Sequence, residues 1–338
     1  MAQQIQKTAL ENNVAQNSMP QQTRQLISEE QLRYYEKEGY RRVGNHSAVK
    51  VCEWTKKSIR GQDVCYKCQF YGIHSWQCVQ MSPTFFCDHR CVFCWRDIKY
   101  VFPKWQGPID EPKDIIDGAI KAQIDYLQGF WGNEKAVKEK LEQAETPMHF
   151  AISLTGEPTM YPRLHEMIDE LRKRNISSFL VTNGTLPEMV EKLTEHQPTQ
   201  IYFSVYGPDK ETYIKTANPL PQDAWERLHK SLSFAKKFKR SVIRLTLTKG
   251  YNFTDPAGYA RIISFAQPTF VELKGYMWVG HSRERLEPNN MPYWNELESF
   301  ADAICMHTGY KIVDKKEISK VILLAKEEFD GRIMNFDV

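Results

Sequence analysis

Residues 87–95 read CDHRCVFCW, which places Cys87, Cys91 and Cys94 within eight positions, three residues and then two apart. A short apolar run, 79–86 (VQMSPTFF), precedes the trio, and an amphipathic stretch at about 111–129 follows it. Strand, cysteine loop and helix make one βα unit, and the same alternation recurs down the chain. Apolar runs at 148–154 (MHFAISL), 177–182 (SSFLVT), 200–206 (QIYFSVY), 241–248 (SVIRLTLT) and 269–274 (TFVELK) read as strands. Segments at about 161–174, 187–195, 222–238 and 256–266 read as the helices between them. Six strands joined in this way predict an α/β fold with a parallel sheet. The first βα loop then lies at the carboxyl ends of the strands, where chemistry gathers in such folds.

The 338 residues are 41% hydrophobic and 26% charged, an ordinary globular balance. The opening run MAQQIQKTALENNVAQNS is too polar for a secretory signal, and no run reaches membrane-spanning length. The expectation is a cytoplasmic protein with no membrane association. Eight cysteines in such a chain point to metal or redox chemistry rather than to disulfides, and seven of them fall within 52–94. Cys305, in an apolar helical stretch, reads as a small buried hydrophobe. The net charge of +3 permits a nucleic-acid partner without demanding one.

Four regions are expected. Residues 1–28 form a Gln- and Asn-rich disordered tail. Residues 29–80 hold a short helix, opened by a capping box of Ser28 and Gln31, and then a basic, loop-like cysteine segment of weak periodicity. Residues 81–280 form the core, and 281–338 a C-terminal extension with one helix and short strands near Lys311 and VILLAK (321–326).

Three thiolates on one loop are a metal site one ligand short. They suit a [4Fe-4S] cluster whose fourth iron stays open; the alternative is a structural zinc completed by a distant residue such as His89, although zinc usually takes paired CxxC ligands. With Phe93 before the last cysteine, CxxxCxxC resembles the signature of the radical S-adenosylmethionine superfamily. That resemblance implies a partial (β/α)6 barrel. It also implies that S-adenosylmethionine chelates the open iron and is cleaved to a 5′-deoxyadenosyl radical. Thr155, Gly156, Glu157 and Pro158 look like the superfamily's GGEP motif with Thr for the first Gly, so Glu157 is expected to bond the methionine ammonium. Thr182 and Asn183 end the third strand, and Ser204 and Tyr206 the fourth. With Phe93 they are assigned by position to the same cofactor, although TNG alone is ordinary turn chemistry.

Cys52, Cys65 and Cys78 are separated by twelve residues and twelve again, with Cys68 nearby. Cys65, Cys68, His74 and Cys78 read as a zinc knuckle, an RNA-binding module; alternatively, Cys52, Cys65 and Cys78 hold a second [4Fe-4S] cluster. The wider sequence bears on the choice. GNHSAVKVCEWTKKSIRG, YGIHSWQCVQMSP, the trio, SLTGEPTMYP, VTNGT, SVYGPDKETY, TLTKGYN and ELKGYMWVGHSRERL together resemble the 4-demethylwyosine synthase family, from Gly44 to Leu286. The resemblance implies the second cluster. It also implies conversion of N1-methylguanosine, next to the anticodon of phenylalanine tRNA (tRNA-Phe), into a tricyclic base with two carbons of pyruvate. Eukaryotic members carry a flavodoxin-like domain ahead of the barrel, for which the residues before the cysteines here are too few. An external electron donor such as a flavodoxin or ferredoxin, and a monomer of the archaeal type, are therefore expected.

Lys67, two residues beyond Cys65, is the candidate to form a Schiff base with the pyruvate carbonyl. Lys56, Lys57, Arg60, Arg283 and Arg285 are candidate RNA phosphate contacts, with Trp76 and Trp278 as stacking platforms and Lys274 and Tyr276 facing the pocket. Lys236, Lys237, Lys239 and Arg240 read equally well as a solvated helix end. Two further function classes stay open: a radical enzyme acting on another substrate, and a zinc-holding RNA-binding protein without catalysis.

Overall fold

A computed structural model of the chain describes residues 28–98 and 101–336, so the tail expected at 1–27 lies outside the described residues. The sheet has ten strands: β1 (Arg41–Val43), β2 (Ser47–Val49), β3 (Cys78–Ser82), β4 (His149–Ile152), β5 (Ser177–Thr182), β6 (Gln200–Val205), β7 (Ser241–Leu247), β8 (Phe270–Gly275), β9 (Lys311–Lys316) and β10 (Val321–Ala325). From β3 to β8 each strand pairs in parallel with the next, giving the six consecutive parallel strands of a partial (β/α)6 barrel. The β1–β2 hairpin joins β3 antiparallel at one edge, and β10 then β9 join β8 antiparallel at the other. The helices expected between the strands are present, among them Pro112–Leu127, Leu164–Lys173, Pro187–Leu193 and Pro256–Ala266.

Both faces of the parallel strands are buried, which is why these strands read as largely apolar runs. Outward residues such as Val79, Phe150, Leu180, Phe203, Leu245 and Leu273 pack beneath the helices. Inward residues Phe179, Tyr202, Val242 and Phe270 meet Tyr66, Phe70 and Tyr71 of a short helix, Tyr66–Tyr71, that plugs the barrel near the amino ends of the strands. The hydroxyls of Tyr66 and Tyr71 donate to the fully buried Glu272 of β8, at 3.2 and 2.7 Å.

This plug corrects the expectation of a loop-like segment after Tyr40. The segment holds β1, β2 and two helices, Glu53–Ile59 and Tyr66–Tyr71. Its periodicity is weak because its apolar side chains point into a barrel built by the rest of the chain. Helix Lys210–Ala217, capped by Asp209 Oδ1 accepting from Thr212 N–H, was also missed. The segment expected as one helix at 222–238 stops at Leu232 and continues as a short 3-10 turn, Ala235–Lys237. The capping box at Ser28 and Gln31 forms as expected. Among the described residues no helix is long and apolar enough to cross a membrane.

Candidate active site

One cavity of about 480 Å³ occupies the barrel interior. Period-two alternation decides what lines it: Cys78 and Gln80 from β3, Val181 and Asn183 from β5 and the turn after it, Ser204 and Tyr206 at β6, Arg244 and Thr246 from β7, Lys274 and Tyr276 at β8. Cys87, Cys91 and Cys94 reach it from the loop after β3, and Cys52, Cys65 and Cys78 reach the same cavity from two helix N-caps and the first residue of β3.

The first trio sits in a loop that several elements fix. A Cβ on Gly156 (φ +66°) would collide with the carbonyl oxygens of Thr84 and Phe86, so only glycine lets the TGEP turn approach the strand leading to Cys87. Glu157 N–H donates to Phe86 O at 2.5 Å. Between the cysteines, Asp88 pairs with His89 Nδ1 (2.7 Å), accepts from Asn183 Nδ2 (2.7 Å) and from Thr185 Oγ1 (2.6 Å), while His89 Nε2 meets the Tyr213 hydroxyl (2.8 Å). Burial works upward on Asp88, but His89, Thr185 and Asn183 hold its carboxyl below the usual range. Arg96, buried two residues past Cys94, donates to Phe85 O at 3.1 Å; burial opposes its charge, and the facing Cys87 and Cys94 thiols more than offset this.

Glu157 is the most heavily bonded carboxylate here. Its Oε1 accepts from Thr159 N–H (3.0 Å), Thr159 Oγ1 (2.6 Å) and Thr182 Oγ1 (2.6 Å), whereas Oε2 accepts only from Asn183 N–H (2.7 Å). Oε2 therefore keeps acceptor capacity for one more donor from the cavity. Burial raises this carboxyl, and those donors pull it back. Beside it the Thr155 hydroxyl is buried without a hydrogen-bond partner among the described residues. Thr182 and Asn183 do line the cavity, but their side chains are engaged by Glu157, Asp88 and His89, so they hold the site together. Ser204 and Tyr206 are hydrogen-bonded to each other, and Phe93 packs on Tyr206 at 5.2 Å between ring centroids.

Burial pushes Cys87 up to about 12, Cys52 to about 11 and Cys78 to about 12, and raises Cys91 and Cys65 as well. Neutral thiols lodged in such a setting need a cation to become ligands. Among the described residues no three His, Cys, Asp or Glu side chains converge on a point able to hold a single ion. Each trio opens onto the same void. Cys68 does not line the cavity and its thiol bonds Ser75. His74 lies flat on Trp76 (4.9 Å between centroids, 3° between planes) with Nδ1 on Gln77 Oε1 at 2.9 Å. The arrangement thus favours Cys52, Cys65 and Cys78 over a knuckle.

Lys67, on the plug, is 6% exposed and lines the cavity. Its amine stands over the Phe179 and Tyr202 rings, at 5.4 and 5.3 Å, and has no hydrogen-bond acceptor among the described residues. Two further cations line the same region. Lys274 donates to Ser319 O at 2.9 Å, and burial, with Arg244 nearby, brings it down to about 8. Arg244, which sequence reasoning missed, donates to the Tyr66 hydroxyl at 3.0 Å. Its only sequence signal was a charged residue inside the apolar run SVIRLTLT.

The RNA candidates scatter. Lys56, Lys57 and Arg60 lie on helix Glu53–Ile59 and its C-cap, where Lys57 sits over Trp54 (4.9 Å), a residue of the cavity wall. Arg283 covers the Trp278 ring at 4.8 Å. Tyr276 is buried with its hydroxyl on Ser282 (2.8 Å). Arg285 departs from the expectation of a phosphate contact: it is half-buried and donates to the carbonyls of Val92 and Cys94. Arg240 is also engaged, donating to Gly331 O (2.8 Å) and Arg332 O (2.9 Å). Cys305 is half-buried against the outer core, consistent with a packing role.

Comparison with known proteins follows this geometry. A family model described as the radical SAM superfamily matches residues 81–262, and one described as wyosine base formation matches residues 265–326. The chain is 44% identical over 310 residues to the S-adenosyl-L-methionine-dependent tRNA 4-demethylwyosine synthase of Pyrococcus abyssi, covering 90% of this chain and 91% of that protein. It is 35% identical to the human protein of the same description, covering 97% of this chain and 45% of the relative. Among solved structures, TYW1 with a lysine-pyruvate adduct bound aligns with a TM-score of 0.82 at 33% identity, over 91% of this chain and all of that one. Archaeal TYW1 aligns with a TM-score of 0.73 at 30% identity, over 89% of this chain and 96% of that one.

Proposed function

Because this chain belongs to the tRNA 4-demethylwyosine synthase family of the radical S-adenosylmethionine superfamily, we propose that the barrel cavity joins N1-methylguanosine of tRNA-Phe to two carbons of pyruvate. The observation that carries this reading is that two cysteine trios and a buried lysine, without a hydrogen-bond acceptor among the described residues, open onto the same void. Cys87, Cys91 and Cys94 fit a [4Fe-4S] cluster with one open iron, and Cys52, Cys65 and Cys78 fit a second. With S-adenosylmethionine bound, the first supplies the one-electron chemistry that removal of hydrogen from an unactivated methyl group requires.

The chain's own residues do the rest. Glu157 Oε2 accepts from the cofactor's ammonium. Phe93 and Tyr206 give an apolar wall. The Lys67 amine, desolvated by Phe179 and Tyr202 and without an acceptor to leave, adds to the ketone carbon of pyruvate and expels water to give an imine. Arg244 and Lys274 place positive charge where the carboxylate lies. Lys274 is the weaker nucleophile candidate because its amine is tied to Ser319 O. Lys56, Lys57, Arg60 and Arg283 are proposed to meet RNA phosphates. An external flavodoxin or ferredoxin is the proposed electron source, and the active unit a monomer.

The test is mass analysis of tRNA-Phe carrying N1-methylguanosine after incubation with the reduced protein, S-adenosylmethionine and pyruvate. A tricyclic base is expected, whereas cofactor cleavage with unchanged tRNA would direct the reading to another substrate.

A further inference from the structure

We propose that Arg285 is a positioning residue for the first cluster, holding the backbone of the CxxxCxxC loop and raising the potential at which that cluster accepts an electron. The proposal rests on the reading that Cys87, Cys91 and Cys94 carry a cluster. The turn Gly280–Glu284 and Arg285 lie beyond the last parallel strand, in the region matched by wyosine base formation. They close on the loop at three successive points. His281 N–H donates to Trp95 O at 2.8 Å, Arg285 Nε to Val92 O at 3.1 Å, and Arg285 Nη2 to Cys94 O.

The approach is close enough to dictate sequence. Gly280 has φ +56°, and a Cβ there would collide with Trp95 O. The strap is itself braced: the Tyr34 hydroxyl of helix Glu29–Lys37 bonds His281 Nε2, and Glu284 Oε1 pairs with His281 Nδ1 at 2.7 Å. A guanidinium bonded across the carbonyls of Val92 and Cys94 fixes the third cysteine. It also sets a permanent positive charge beside the loop. Reducing the cluster adds one negative charge beside it, so this cation stabilises the reduced state. Arg283, two residues earlier on the same strap, bonds Trp278 O and lies over its ring, and makes no bond to the loop.

The experiment is an EPR-monitored redox titration of the holoenzyme, following the reduced-cluster signal that changes on adding S-adenosylmethionine, with dithionite as electron source. Arg285→Met is expected to disfavour reduction by roughly ten-fold, about 59 mV to more negative potential. Arg285→Lys should fall between Met and wild type, and Arg283→Met should match wild type. An unchanged midpoint in Arg285→Met with full iron, or an equal shift in Arg283→Met, overturns the proposal. If Arg285→Met retains too little iron, Arg285→Lys decides: a smaller negative shift supports the proposal and a wild-type midpoint overturns it. A wild-type protein with no cofactor-sensitive signal would instead refute the underlying cluster reading.

Discussion

Cys87, Cys91 and Cys94 share one loop of eight residues, whereas Cys52, Cys65 and Cys78 arrive from two helix N-caps and the start of a strand. The compact trio is held by parts of the barrel itself, the TGEP turn after β4 and the Asn183 turn after β5. The dispersed trio is assembled only when the plug enters the barrel. The local motif lies inside the stretch matched by the radical SAM superfamily model, whereas the dispersed trio lies ahead of it.

Breaking the trios one at a time gives the largest effect. Alanine at Cys87, Cys91 or Cys94 is expected to abolish cleavage of S-adenosylmethionine and remove one cluster's iron. Alanine at Cys52, Cys65 or Cys78 should remove the other cluster's iron and leave cleavage running without tRNA product. Equal loss of cleavage in both sets, measured as 5′-deoxyadenosine released, would erase the distinction. Next, borohydride with labelled pyruvate should label the wild type and Lys274→Ala but not Lys67→Ala. Label retained in Lys67→Ala would assign the imine elsewhere.

Smaller effects sharpen the structural side of the contrast. Phe70→Ala empties a fully buried site in the plug and is expected to cost about 3–5 kcal/mol, read from the denaturant midpoint. It should also lower iron at the dispersed trio more than at the compact one. Gly156→Ala should cost about 2 kcal/mol from its left-handed backbone and the clash with Thr84 O, with iron loss now concentrated at the compact trio.

His149, at the foot of β4, gives the smallest signal. Burial and the neighbouring His74 lower its pKa to about 3, so the folded protein binds fewer protons than the unfolded chain between there and the ordinary 6.5. Stability is therefore full above 6.5 and falls as pH drops below it, by about 1 kcal/mol at pH 5.5. His149→Gln should flatten that part of the pH dependence, and an unchanged slope would locate the effect in other groups.

Much of the barrel was legible because β5 to β8 are largely apolar runs bounded by turn residues, and because the helices between them carry amphipathic stripes. The plug was not. Tyr66, Phe70 and Tyr71 satisfy no local period, since their partners Phe179, Tyr202 and Phe270 lie more than a hundred positions away. In the site, residue types were readable and bonding was not. Thr182 and Asn183 were assigned to the cofactor by position, and their bonds to Glu157, Asp88 and His89 were not legible. Arg285 looked like a surface cation and instead grips two backbone carbonyls. Arg244 was hidden inside a strand whose apolar neighbours described its outer face only.

The plug also constrains how the molecule comes into being. Tyr71 bonds a residue 201 positions downstream, Tyr66 one 206 positions away, and the Phe70 carbonyl accepts from Arg332, 262 positions along the chain. Closing such long loops is slow and costs entropy before any contact repays it. On the ribosome, Lys67 is therefore made among the first fifth of the chain but acquires its surroundings almost last. Until residues near 332 have emerged, the segment bearing Cys52, Cys65 and Cys78 lacks its full set of partners, and a chain cut short before that point is expected to keep the compact trio without the dispersed one.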